Sequence, residues 1–255
     1  MKKFTLSLFY LGSICYLSLC AVLYFYQDNL LYFPRDRVVP DPAKTLLLPT
    51  GVGETVVTTE IKDNQKALIY FGGNAEDVSR NLESFQATFP GYSLFLMHYR
   101  GYGGSDGEPG EEGLYQDARA LYDHVNQSHE DIVLIGRSLG SGVATRLAAE
   151  TLPDKLILIT PFSSVEDVAS EIYWGFPVSL LLKDKYLSWQ YAKQVQASTS
   201  IIVATDDKVI PMHSSMKLFD SFKPGLAQVY ELDKANHNNI SSHSEYHKLL
   251  KRLTQ

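Results

Sequence analysis

The 255-residue sequence predicts an α/β fold: a mostly parallel central sheet with helices on both faces and a short helical lid insertion, preceded by one N-terminal transmembrane helix. Three observations predict it. Short apolar runs of β-forming residues alternate with helix-compatible segments across residues 66–232. One such run, residues 131–135, passes straight into Gly136-Arg137-Ser138-Leu139-Gly140 and then a helix, the setting of a sharp turn that exposes a serine. Residues 4–27 contain no charged side chain.

Bulk composition narrows the function class without naming one. A hydrophobic share of 45% supplies a sizeable core, for one large domain or two small ones. The net charge of −6 and the lack of a long basic run argue against a nucleic-acid partner, whose phosphates require a Lys/Arg footprint. Cys15 and Cys20 both fall in the apolar N-terminal run, so the rest of the chain has no disulfide, cysteine-based metal site or catalytic thiol. Leu19 occupies the place before Cys20 where lipid attachment usually needs a small residue.

In chain order, Lys2 and Lys3 precede residues 4–27, long enough as a helix to cross the ~30 Å hydrocarbon layer. A cleaved signal peptide is the rival reading, but the stretch is longer than a signal core and no small-x-small cleavage site follows it. A helix packed in a globular core would show a polar face, and none is visible. Residues 1–27 therefore read as an uncleaved signal-anchor, with Tyr24, Phe25 and Tyr26 at the far interface. The two lysines favour a cytoplasmic N-terminus, which puts the rest of the chain outside the cytoplasm.

Residues 28–54 form a linker and first-strand region, and 55–255 the main domain. Leu30, Leu31, Tyr32, Phe33 and several prolines make 27–49 extended and partly buried. Residues 55–61 alternate as an edge strand. Residues 66–71 form a buried strand ending in Gly72-Gly73-Asn74, with a helix over 76–89 and another strand over 93–99. The glycine-rich loop 100–107 fits neither G-x-G-x-x-G nor a Gly-Lys-Ser/Thr ending, which removes a nucleotide site. No cofactor is expected. Leu114, Ala118, Leu121 and Val125 give 111–127 helical spacing, and strands recur at 155–160, 200–205 and 228–232. In such βα repeats, sites form at the carboxyl ends of the strands. Residues 161–199, with Tyr173, Trp174, Phe176 and Leu180, are either ordinary helix packing or a small lid over an apolar site.

Gly-x-Ser-x-Gly alone is weak, and context must support it. A serine hydroxyl needs a base to take its proton, and the base needs an acid to fix its tautomer. Asp206 and Asp207 follow the strand over 200–205, where either could equally be a turn or cap residue. His237 lies in the turn-rich loop after the strand over 228–232. His213 begins a helical segment, and His243 and His247 sit four apart on a terminal helix, with no third residue to make a metal site. The Gly72-Gly73 turn is either a plain loop or a source of backbone N–H groups facing an oxyanion.

Six stretches together resemble the α/β-hydrolase serine hydrolases, specifically their membrane-anchored Bem-like branch related to acyl-protein depalmitoylases. They are Asp28-Asn29-Leu30-Leu31-Tyr32-Phe33-Pro34, Tyr70-Phe71-Gly72-Gly73-Asn74-Ala75, Tyr99-Arg100-Gly101-Tyr102-Gly103-Gly104-Ser105, Gly136 to Gly142, Asp207-Lys208-Val209-Ile210-Pro211 and Asn236-His237-Asn238. The resemblance implies the α/β-hydrolase fold and a triad of Ser138, Asp207 and His237, in the order the fold uses. The family pattern, in which the acidic member precedes two residues and then an apolar pair, selects Asp207. Such hydrolases commonly carry His-Gly where this chain has Gly72-Gly73. Because the oxyanion donors are backbone amides, the hole is still expected from Asn74 N–H and Leu139 N–H. The implied activity is hydrolysis of an ester or thioester in a small-molecule or acylated substrate through an acyl-enzyme. A serine aminopeptidase-like hydrolase and a non-catalytic binding protein on the same fold are the alternatives.

Overall fold

The computed structural model describes residues 2–38, 41 and 44–255, with side chains from Phe4 onward. The lysine side chains at 2 and 3, and linker residues 39–40 and 42–43, lie outside that description. Helix α1 (Lys2–Leu31) is followed by β1 (Thr45–Thr50), β2 (Gly53–Glu60), β3 (Lys66–Phe71), α2 (Leu82–Thr88) and β4 (Ser93–Met97). Next come α3 (Glu111–Val125), β5 (Asp131–Arg137), α4 (Leu139–Glu150) and β6 (Lys155–Ile159). Short helices α5 (Val165–Ile172), α6 (Val178–Leu181) and α7 (Ser188–Ala192) precede β7 (Ser198–Ala204), α8 (Met212–Phe219), β8 (Ala227–Leu232) and α9 (Tyr246–Thr254).

The strands form one sheet in the order β1-β2-β4-β3-β5-β6-β7-β8. β1, β2 and β4 pair antiparallel, and all other neighbours are parallel. Strand side chains alternate between two cores, as a period of two requires. Ile69, Phe71, Ile132, Leu134 and Leu158 pack with Leu121 of α3 and Leu147 of α4. Leu68, Tyr70, Val133, Ile135 and Ile157 pack on the other face with Phe85 of α2 and Leu250 of α9. Both faces being covered explains why these strands are apolar throughout. The chain leaves β3 toward β4 on one side and returns to β5 on the other, so the carboxyl ends of β3 and β5 flank a crevice where α/β sheets place ligands.

Three sequence expectations change. The strand from residue 53 is not the edge: β1 pairs along its whole length, Thr45 opposite Thr58 through Thr50 opposite Gly53. Leu46, Leu47 and Leu48 supply β1, hidden in sequence among prolines of the linker. The helix expected over 76–89 is broken. Asp77 accepts Ser79 N–H at 3.1 Å and Ser79 Oγ–H at 2.7 Å, capping a 3₁₀ turn at Val78–Asn81 before α2 starts. The first helix also runs past Gln27 to Leu31, because a single exposed aspartate costs a helix less than about 1 kcal/mol and no glycine or proline intervenes before Pro34.

Helix α1 over Phe4–Leu31, 28 residues, is long enough and, over its most apolar window, apolar enough to cross a membrane. Only 6% of its most apolar window is buried, unlike a core helix.

Candidate active site

The turn between β5 and α4 depends on two glycines. A Cβ on Gly140 would fall on the carbonyl oxygens of Phe71 and Gly72, and one on Gly136 would strike the Gly140 carbonyl and Ala144. Their absence lets α4 start against β3, with Gly140 N–H donating to Gly72 O at 3.1 Å. Ser138 takes φ 49° and ψ −115°, a left-side conformation costly for a residue with a side chain and held by the packing around it.

The loops after β5, β7 and β8 bring three predicted residues together. His237 Nε2 lies 2.9 Å from Ser138 Oγ, and His237 Nδ1 lies 2.8 Å from Asp207 Oδ2. His237 and the Asp207 carboxylate are nearly buried, at 11% and 5% side-chain exposure, which keeps water from competing for these bonds. The second Asp207 oxygen accepts the N–H groups of Val209 and Ile210, each at 2.8 Å. Asp206 is exposed, and its N–H is used by Ala235 O at 2.9 Å. The other histidines lie elsewhere: His213 bonds Glu171 at 2.6 Å, His247 bonds Thr88 at 2.9 Å, and His243 approaches Asp233 O at 3.1 Å.

Asn74, Ser138, Leu139 and His237 border one cavity. No acceptor among the described residues takes the Asn74 or Leu139 N–H. The Gly72-Gly73 loop is fixed by groups that sequence reading did not find. Tyr99 OH donates to Gly72 O at 2.7 Å, and Glu76 Oε2 accepts Gly73 N–H at 2.6 Å. Arg137, the variable residue of the serine motif, sits behind the turn, 3.5 Å from Glu76 Oε2, and donates to His237 O at 3.2 Å. Burial works against its charge, yet neighbouring Tyr70 and Glu76 outweigh that and raise its pKa. One cation thus bridges the Gly72-Gly73 loop, through Glu76, and the loop that carries His237. The Asn74 side chain is tied as well: its oxygen accepts Phe33 N–H at 3.0 Å and Tyr102 OH at 2.8 Å, and its amide donates to the Leu31 carbonyl. A glutamate three residues after Gly73 was the only local signal for any of this.

The cavity holds about 430 Å³, within the range of small-molecule sites. Ser138 and His237 lie at one side. Apart from Gln27, Tyr173 and Asn238, its other walls are largely apolar and come mainly from α5 and α6 (Val165, Ile172, Leu181) and from α1 (Leu23, Leu30).

Fold and site together define an α/β-hydrolase, and the chain belongs to that family of serine hydrolases. A family model described as "Serine aminopeptidase, S33" matches residues 62–182. An uncharacterised protein of Mycobacterium tuberculosis is 34% identical over 212 residues, 75% of this chain and 74% of that protein. The lysophosphatidylserine lipase ABHD12 of Rattus norvegicus is 31% identical over 187 residues, 64% of this chain and 47% of its own length. This chain therefore spans about half of that lipase. Among solved structures, the Pyrococcus furiosus esterase Pf2001 superposes with a TM-score of 0.67 at 18% identity, over 88% of this chain and 100% of that one. Est1E of Butyrivibrio proteoclasticus, solved with ferulic acid, gives 0.67 at 14% identity over 82% and 96%.

Proposed function

We propose that this chain is a membrane-anchored serine hydrolase cleaving carboxylic ester or thioester bonds. The observation that carries the reading is the hydrogen-bonded chain from Ser138 through His237 to Asp207 at the side of an apolar cavity. Ser138 Oγ attacks the acyl carbonyl while His237 Nε2 takes its proton, and Asp207 holds Nδ1–H and stabilises the imidazolium. The tetrahedral oxyanion is received by the N–H groups of Asn74 and Leu139. On collapse, His237 returns the proton to the leaving alcohol or thiol. Water, activated by the same histidine, then releases the carboxylic acid from Ser138.

An aminopeptidase needs an anion to hold the substrate ammonium, and none of the cavity-lining side chains is a carboxylate. The lipase and esterase names of the relatives point the same way. Helix α1 supplies the membrane anchor, and the lysines at 2 and 3 support a domain on the non-cytoplasmic side.

The purified protein is expected to take one fluorophosphonate label, absent in Ser138→Ala, and to turn over acyl esters faster than amino-acid amides. Failure to label, or a preference for the amides, would overturn the reading. Glu76→Gln removes the anion between Gly73 N–H and Arg137. It is expected to lower kcat by up to about 10²-fold with KM nearly unchanged, the mark of a displaced oxyanion donor rather than lost binding, as steady-state kinetics on a short ester will show.

A further inference from the structure

Residues 172–182 carry no charged side chain although they lie at the surface. Trp174 is 87% and Leu180 81% exposed, and neither lines the cavity. Large apolar side chains grouped in this way mark a contact surface rather than a solvated one.

The same segment is fastened along α1. The Tyr16 ring stacks on Phe176 with centroids 5.6 Å apart, and Tyr16 OH donates to Gly175 O at 3.0 Å. Farther along the helix, Gln27 donates to Leu181 O at 3.1 Å and accepts Lys183 N–H at 2.7 Å. With a rise of about 1.5 Å per residue, the two attachments are roughly 16 Å apart along the axis. The first charges after α1's apolar stretch and after this segment come together at one end of the contact, Asp28 on α1 and Lys183, whose ammonium lies 4.8 Å from the Tyr24 ring centre, while Glu171 before the segment pairs with His213 at 2.6 Å. A bilayer whose polar boundary meets α1 at that level places Tyr16 deep in a hydrocarbon layer of ~30 Å, and the Gly175-Phe176 turn lies beside it. The turn is suited to that depth. The N–H groups of Tyr173, Phe176, Val178, Leu180 and Leu182 donate to carbonyls within residues 169–178, which lowers the cost of placing much of this backbone in a low-dielectric surrounding.

The cavity opens on the same side. Leu30, Ile172 and Val209 line it and are 51%, 63% and 49% exposed, so its mouth is rimmed by apolar groups. We infer that residues 172–182 are embedded in the bilayer beside α1, and that the acyl chain of a membrane lipid ester reaches Ser138 laterally, between α1 and this segment, without crossing water. The lateral route rests on the hydrolase reading above, whereas the embedding does not. The substrate class is a lipid with a long acyl chain, its ester bond held near the level of Asp28 and Lys183 and its tail along Leu23 and Leu30.

The full chain reconstituted in phosphatidylcholine vesicles tests both parts. Lipids brominated on the acyl chain are expected to quench the Trp174 contribution, taken as the difference between wild type and Trp174→Phe. A paired Trp174→Glu, Leu180→Glu variant is expected to hydrolyse p-nitrophenyl butyrate within twofold of wild type and a vesicle-held long-chain monoacylglycerol at least tenfold more slowly. Absence of quenching, or wild-type turnover of the vesicle-held ester by the paired variant, overturns the proposal. If the paired variant loses both activities, quenching in the wild-type protein decides alone. A wild-type protein that is quenched yet inert on both esters would remove the hydrolase reading and the lateral route with it, and leave the embedded surface standing.

Discussion

Ser138→Ala is expected to lower kcat on a short acyl ester by about 10⁵- to 10⁶-fold, the loss typical when a triad nucleophile is removed. Stability should change by less than about 1 kcal/mol. The Ser138 hydroxyl bonds only His237 among the described residues, and the turn that holds the residue is built by Gly136 and Gly140 rather than by that hydroxyl. What remains should be a hydrolysis about 10³-fold above water, from the Asn74 and Leu139 amides and from binding alone. Steady-state kinetics alongside thermal unfolding separate lost chemistry from lost fold. A variant within tenfold of wild type would remove Ser138 as nucleophile.

Asp207→Asn should cost about 10⁴-fold in kcat. The reason lies in which oxygen does what. One Asp207 oxygen caps Val209 and Ile210 N–H, and in asparagine the carbonyl oxygen must keep that place because an NH₂ group cannot accept there. The NH₂ then faces His237 Nδ1 and donates to it. That forces the proton onto Nε2, the nitrogen that must be bare to receive the Ser138 proton. The neighbouring Asp206→Asn should stay within about threefold, since Asp206 is exposed and apart from His237. A matched pair of rate profiles on one ester checks both, and equal losses would reassign the acid.

The contrast between those aspartates shows how far sequence carries. Periodicity exposes buried strands because each is a local pattern, and Gly136 to Gly140 is legible because its strand, turn and helix are contiguous. Two adjacent carboxylates after one strand look alike to any local rule. Only a family pattern separated them, and the structure supplies its physical content in the cap on Val209 and Ile210. Contacts with distant partners left no local trace. Tyr16 meets Gly175 across 159 residues, and Arg137 meets His237 across 100. The helix break at Asp77 and the β1 pairing are missed for other reasons: the Asp77 cap on Ser79 competes with helix spacing, and an edge strand declares itself only through its partner.

Asn74 ties the first helix to the chemistry. Asn74 lines the cavity while its side chain holds the Leu31 carbonyl and Phe33 N–H, the very end of α1 and the first residues after it. A chain shortened to begin beyond these residues would be easier to handle in water, but it would not be the same enzyme made soluble. It would free the side chain of Asn74, the proposed oxyanion donor, and open one wall of the cavity at a stroke. On the proposed reading α1 is both the membrane tether and a wall of the cavity, so a cut between tether and hydrolase domain is expected to lower activity, and the full chain is to be studied in lipid or detergent.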